Sequence, residues 1–92
     1  MSKGLIFEWD EQKRIATLEK HGLDFIRAVR VFLGDTLVLR SGFDGEERFL
    51  AIGDLDGIEV AVIFTMRGQV VRIITARRAR LHERTAYHAR HA

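Results

Sequence analysis

The sequence predicts an α+β fold in which an N-terminal helix hairpin packs on an antiparallel β-meander, with a basic C-terminal helix closing the chain. Three observations carry this. Before Gly34 the apolar residues keep helical spacing, with Phe25, Ala28, Val29 and Phe32 at i, i+3, i+4 and i+7. From Thr36 to Ala76 the period falls to two, and tight turns divide β-rich runs. Beyond Arg77 apolar positions are few and arginine dominates.

Each element has a local reason. Leu5 to Trp9 is a short apolar stretch that reads as an edge strand or a lead-in. Asp10 suits a helix N-cap, and Glu11 complements the helix dipole in the first turn. That helix runs to about His21 and is expected to point Ile15 and Leu18 inward. Gly22 supplies a left-handed stop, and Leu23 can fold back on Leu18. Asp24 caps a second helix that Gly34 ends, so His21-Gly22-Leu23 joins an αα-hairpin. Thr36 to Ser41 is the first strand of the meander, and Gly42-Phe43-Asp44-Gly45 turns into a second, Glu46 to Leu55. Asp56-Gly57 is a strong hairpin signal. Ile58 to Met66 is apolar on both faces and reads as a central strand, and Arg67-Gly68-Gln69 leads to Val70–Ala76. A last helix should start at about Arg77. One sheet face is covered by the hairpin. The other carries Arg48 and Arg72 among apolar residues, the mark of a half-open face.

Ninety-two residues make one domain, 1–92, with one core. The absence of cysteine excludes disulfides, cysteine–zinc sites and thiol catalysis. No signal peptide is evident in MSKGLIFEWD, and the longest apolar run, Val60 to Phe64, is far too short to span a membrane. His88 and His91 are i, i+3 neighbours in a tail, Ala89–Ala92, that should fray, and no acid stands near them; no metal and no cofactor is expected. Serine occurs only at Ser2 and Ser41, which argues against a serine triad.

The net charge of +2 hides a dipole. Residues 67–92 hold seven Arg and one acid, Glu83, while residues 1–66 hold eight Lys or Arg against twelve Asp or Glu. Clustered arginine is a common footprint for phosphate, because its planar fork grips oxyanions bidentately. The same cluster also fits a solvated helix face or the dock of an acidic protein, and the residues alone leave these open.

The remaining polar residues suffice for metal-free RNA cleavage, which needs a base for the ribose 2′-OH, cations for the phosphorane and an acid for the 5′-oxygen. Glu46, Glu47, Glu83, His21 or His82 could be the base. Arg48, Arg67, Arg72, Arg77, Arg78 and Arg84 could form the clamp, and Tyr87 or an arginine could assist the leaving group. Each has a duller reading. Glu83 can be a surface ion pair with Arg80 or Arg84, Tyr87 can pack its ring on the sheet edge, and His21 can cap a helix. Arg72 is hardest to dismiss, because a mid-strand guanidinium needs a partner or a ligand. Strict alternation would set Arg72 and Ala76 on one face.

The ordered blocks FEWDEQK, LEKHGLDFIRAVRVF, GEERFLAIG, DGIEVAVIFTMRG and VVRIITARRARLHERTAY resemble the BrnT toxins over about residues 7 to 87. Lys20-His21-Gly22, Ala76 to Ala79, and Glu83-Arg84 are the most specific marks. The resemblance implies a RelE-like ribonuclease fold and a cytoplasmic type II toxin that cuts RNA and inhibits translation. It implies a BrnA-like antitoxin, two toxins with two antitoxins, whose own domain brings the complex to operator DNA. It places the catalytic site on the open sheet face and the C-terminal helix, at Glu47, Arg48, Arg67, Arg72, Arg77 and Arg78. The alternative is a catalytically silent nucleic-acid- or antitoxin-binding module on the same fold.

Overall fold

The computed structural model describes residues 4–90, so His91 and the end of the expected frayed tail lie outside the described residues. Five strands form one mixed sheet in the order β1-β5-β4-β3-β2. They are β1 (Ile6–Trp9), β2 (Leu37–Phe43), β3 (Glu47–Leu55), β4 (Ile58–Arg67) and β5 (Val70–Arg78). The helices are α1 (Glu11–His21), α2 (Phe25–Ala28) and α3 (Leu81–Ala89).

This corrects the expected helix hairpin on an antiparallel meander in two places. First, β2 to β5 are antiparallel neighbours, but β1 joins the edge of β5 in parallel, with Glu8 opposite Arg72. A parallel pair needs a long crossover, which here is most of the chain, so no local signal marks it. Second, after Asp24 only one α-helical turn forms before the backbone tightens to a 3-10 helix over Val29–Leu33. The deeply buried residues are Phe25, Ala28 and Val31, a three-residue spacing that suits the tighter helix. β-branched Val29 and Val31 also weaken an α-helix there. Val31 lies so close to β3 that a Cβ at Gly53 would come within 2.9 Å of its Cγ1, which explains the glycine. In α1 only Thr17 is buried, and Ile15 and Leu18 remain 44% and 40% exposed rather than facing inward.

The cap residues act as their chemistry requires. Asp10 accepts from the amides of Gln12 at 2.8 Å and Lys13 at 3.4 Å, and Gly22 takes φ +69°. At the other end β5 runs on to Arg78, opposite Val60, and the Ala79 amide donates to the Glu59 carbonyl at 2.9 Å. The ladder with β4 therefore delays the last helix from Arg77 to Leu81.

The sheet has a core on each face. α2 and the 3-10 turn pack on one, around Phe25, Val62, Phe64 and Ile73. α3 packs on the other, where Ala79 and Tyr87 meet Leu50, Ile52, Ala61 and Ile63. A β-bulge decides what else this second face carries. Ile63 pairs with Thr75 but Phe64 pairs with Ile73, so Ile74 is an extra residue in β5. Past the bulge the alternation flips. Ala76 joins the core under α2, not the face of Arg72, and Arg77, opposite Ala61, takes the place beside α3. Among the described residues no helix is long and apolar enough to cross a membrane.

Candidate functional site

On the part of the second face that α3 leaves open, a pocket of about 240 Å³ is lined by Asp10, Lys13, Glu46, Arg48, Arg67 and Arg72, with Ile73 and Ile74 beneath. Three strands supply its guanidinium groups. Arg48 alternates with the core residue Phe49 on β3, Arg67 ends β4, and Arg72 precedes the bulge on β5. The N-terminal turn of α1 forms the far wall through Asp10 and Lys13.

Carboxylates orient these cations. Arg72 Nη1 donates to Glu8 Oε2 at 3.1 Å, a contact made possible by the parallel register of β1. Arg67 lies between two acids, 3.8 Å from Glu8 and 3.6 Å from Glu46. Arg48 Nη2 is 3.4 Å from Asp44, while its buried Nε has no hydrogen-bond partner. These pairs are long and partly wet, with the Arg72 side chain 28% exposed and Glu8 40% exposed. An incoming phosphate can therefore exchange for a carboxylate at small cost, because both states offer the guanidinium an oxyanion.

Of the residues expected at the site, Arg48, Arg67 and Arg72 meet in the pocket beside the candidate base Glu46, and Glu47, Arg77 and Arg78 do not join them. Glu47 alternates to the opposite face of β3 from Arg48, and it pairs with Arg40 Nε at 2.8 Å. Arg77 is held bidentately by Glu83 at 2.8 and 2.9 Å. Arg78 is exposed on the other side of the strand end. Glu83 is no surface ion pair with Arg80 or Arg84: it is 1% exposed, and it also accepts from the Arg80 amide at 2.7 Å. The Arg77 guanidinium, opposed by burial and aided by the Arg80 amide, holds its carboxyl down at about 2. Such a group is locked in structure and unavailable as a base. Tyr87 is also structural, donating to the Asp35 carbonyl at 2.9 Å beneath the stacked Arg90 guanidinium. His21 and His82 are exposed and do not line the pocket.

Glu8 and Lys13 were missed. Glu8 had a signal, since an acid between Phe7 and Trp9 in a strand-like stretch must point away from the core. Lys13 had none beyond its place in the first turn of a helix. Among the described residues no group of three or more His, Cys, Asp or Glu side chains is arranged to hold a metal ion.

Over residues 9–83 the chain matches the family described as the ribonuclease toxin BrnT of type II toxin–antitoxin systems. It is also similar to the Brucella abortus ribonuclease toxin BrnT, whose crystal structure aligns with a TM-score of 0.68 at 35% identity. That alignment covers 84% of this chain and 99% of the Brucella chain. None of the curated proteins compared with the chain matches it.

Proposed function

The chain belongs to the BrnT family of ribonuclease toxins of type II toxin–antitoxin systems, and from this premise we propose that it cleaves RNA in the arginine pocket without a metal ion and thereby inhibits translation. The observation that carries the reading is the convergence of three arginines, from three strands, on one pocket that is also lined by Asp10, Glu46 and Lys13. Glu46 takes the proton from the ribose 2′-OH, and the 2′-oxygen attacks phosphorus. Arg48, Arg67 and Arg72 neutralise the phosphorane. The bond to the 5′-oxygen breaks, Lys13 supplies that oxygen's proton, and the products carry a 2′,3′-cyclic phosphate and a 5′-hydroxyl. Every role is filled by a side chain at the pocket, which supports chemistry without a metal.

Membership of the family implies an antitoxin partner. The finer reading is part of the proposal: one toxin domain over residues 1–92, a cytoplasmic setting, kinship with RelE-like ribonucleases, and a BrnA-like antitoxin in a complex of two toxins and two antitoxins. Operator DNA is reached only through that antitoxin.

The test is incubation of the pure protein with RNA in EDTA. Cleavage with 2′,3′-cyclic phosphate ends is expected, and Arg72→Ala should slow it on the order of 10²–10³-fold. Loss of cleavage in EDTA with recovery in magnesium would overturn the mechanism.

A further inference from the structure

Two pocket residues, Glu46 and Arg48, stand where the pairing of β3 with β4 gives out. That ladder starts at Phe49, opposite Phe64, so Glu46, Glu47 and Arg48 all precede its first pair. On their other side Arg48 and Glu47 pair only with Gly42 and Phe43 of the edge strand β2, beyond its bulge. One side chain ties this segment to β4: Thr65 Oγ1 donates to the Glu47 carbonyl at 2.7 Å. Glu47 lies between the two pocket residues, so a single bond holds the backbone of both. Thr65 itself is 2% exposed. It shares the face of Arg72, its partner in the β4–β5 register, and one further step of the β3–β4 register brings it opposite Arg48. It therefore lies covered between two of the three pocket arginines. Valine would fill such a strand position with the same branching. The hydroxyl is what needs a reason, and it is spent on the Glu47 carbonyl.

We propose that Thr65 is a positioning residue for RNA cleavage: its hydroxyl fixes the Glu46–Arg48 segment, so that the base and one arm of the clamp meet the same phosphodiester. The inference rests on the ribonuclease reading above and adds a residue that does not itself line the pocket. The ion pairs of this segment cannot fix it alone, since Glu46 is 3.6 Å from Arg67 and Arg48 is 3.4 Å from Asp44. Arg72 needs no such anchor, because β5 is paired on both sides at that position, with Glu8 and with Thr65. A strand end that lacks ladder bonds opens readily. Misplacing a catalytic group by about 1 Å can cost on the order of 10²-fold in rate.

The experiment compares wild type with Thr65→Val, which keeps the shape and loses the hydroxyl, and with Thr65→Ser, which keeps the hydroxyl. Each protein is assayed on RNA well below its own melting temperature, and amide hydrogen exchange is read along the chain. Thr65→Val should lower kcat about 10- to 100-fold with little change in KM. It should also speed exchange at residues 46–48 while leaving the β4–β5 ladder as in wild type. Thr65→Ser should recover most of both. If Thr65→Val does not fold, Thr65→Ala is read in its place. A hydroxyl-free variant that turns over like wild type overturns the proposal even if it melts lower, since the residue is then structural only. So does Thr65→Ser as slow as Thr65→Val, which would assign the effect to the methyl group. If wild type cuts no RNA, the pocket chemistry falls and exchange decides alone. Faster exchange at residues 46–48 in Thr65→Val, restored in Thr65→Ser, keeps Thr65 as the anchor of the segment, and unchanged exchange removes it.

Discussion

The arginines around the two ends of β5 are held under opposite rules. At the pocket end Arg72 and Arg67 share Glu8, and Arg67 also meets Glu46. At the α3 end Arg78, Arg80 and Arg84 meet no carboxylate of the described residues. A paired guanidinium is aimed but its field is cancelled a few ångströms away. An unpaired one is loosely aimed, but its field reaches as far as screening allows. A paired guanidinium thus keeps its direction and an unpaired one its reach, and the chain carries both kinds. Between them lies Arg77, whose partner Glu83 is buried and whose charge is spent on holding α3 to the sheet.

The largest test of this division is Arg72→Ala. A preorganised cation at a phosphorane contributes on the order of 10²–10³ in rate. The variant should lose that much cleavage yet melt close to wild type, because Glu8 can turn to water. A variant that stays folded and fully active would remove Arg72 from the chemistry.

Glu83→Gln should act on stability instead. Here the folded-state carboxyl sits at about 2, against an ordinary value of 4.5. A depressed folded value contributes stability above the unfolded one, so the benefit is full above about pH 4.5 and fades as pH falls towards 2. A shift of that size corresponds to about 3 kcal/mol. Thermal melts at pH 7, 4 and 2 should show wild type approaching the Gln variant as pH falls. Parallel curves would mean that the pair does not hold α3.

Glu8→Gln sharpens the comparison at the pocket itself. Removing the anion that competes for Arg72 and Arg67 should tighten RNA binding roughly two- to fivefold, the scale of a half-exposed ion pair. The same change should lower kcat, since Arg72 loses its direction. Weaker binding by filter assay would contradict the role given to Glu8.

The smallest effect is expected from Arg90→Ala. The sequence suggests a frayed tail there. Instead Arg90 stacks 3.4 Å above the Tyr87 ring and pairs with Asp35. Its loss should lower Tm by a few degrees without changing cleavage. An unchanged melt would show that the stack contributes nothing.

What was legible divides by range. Gly45, Gly57 and Gly68 all take positive φ at the turns between strands, where their neighbours announced turns. The caps of α1 were legible for the same reason, being settled within four residues. The parallel partner of β1 was not, nor was the early end of the α2 helix, which depends on how Val31 meets Gly53. The bulge was the costliest blind spot. One extra residue in Ile73-Ile74-Thr75 has no local signature, yet it places Arg77 rather than Ala76 on the face of Arg72. The carboxylate partners were equally hidden. Glu83 reads as surface charge until α3 is laid against β5, and Glu8 reads as a lead-in until β1 finds its strand.

The parallel pairing of β1 also has a consequence for timing. Glu8 and Arg72 are 64 positions apart, so during synthesis β1 emerges long before the strand that completes its site. Contacts of such separation close late, after the local hairpins of β2 to β5 have formed. The Glu8–Arg72 contact, and with it the direction of the Arg72 guanidinium, is therefore set after the hairpins that carry Arg48 and Arg67 have formed.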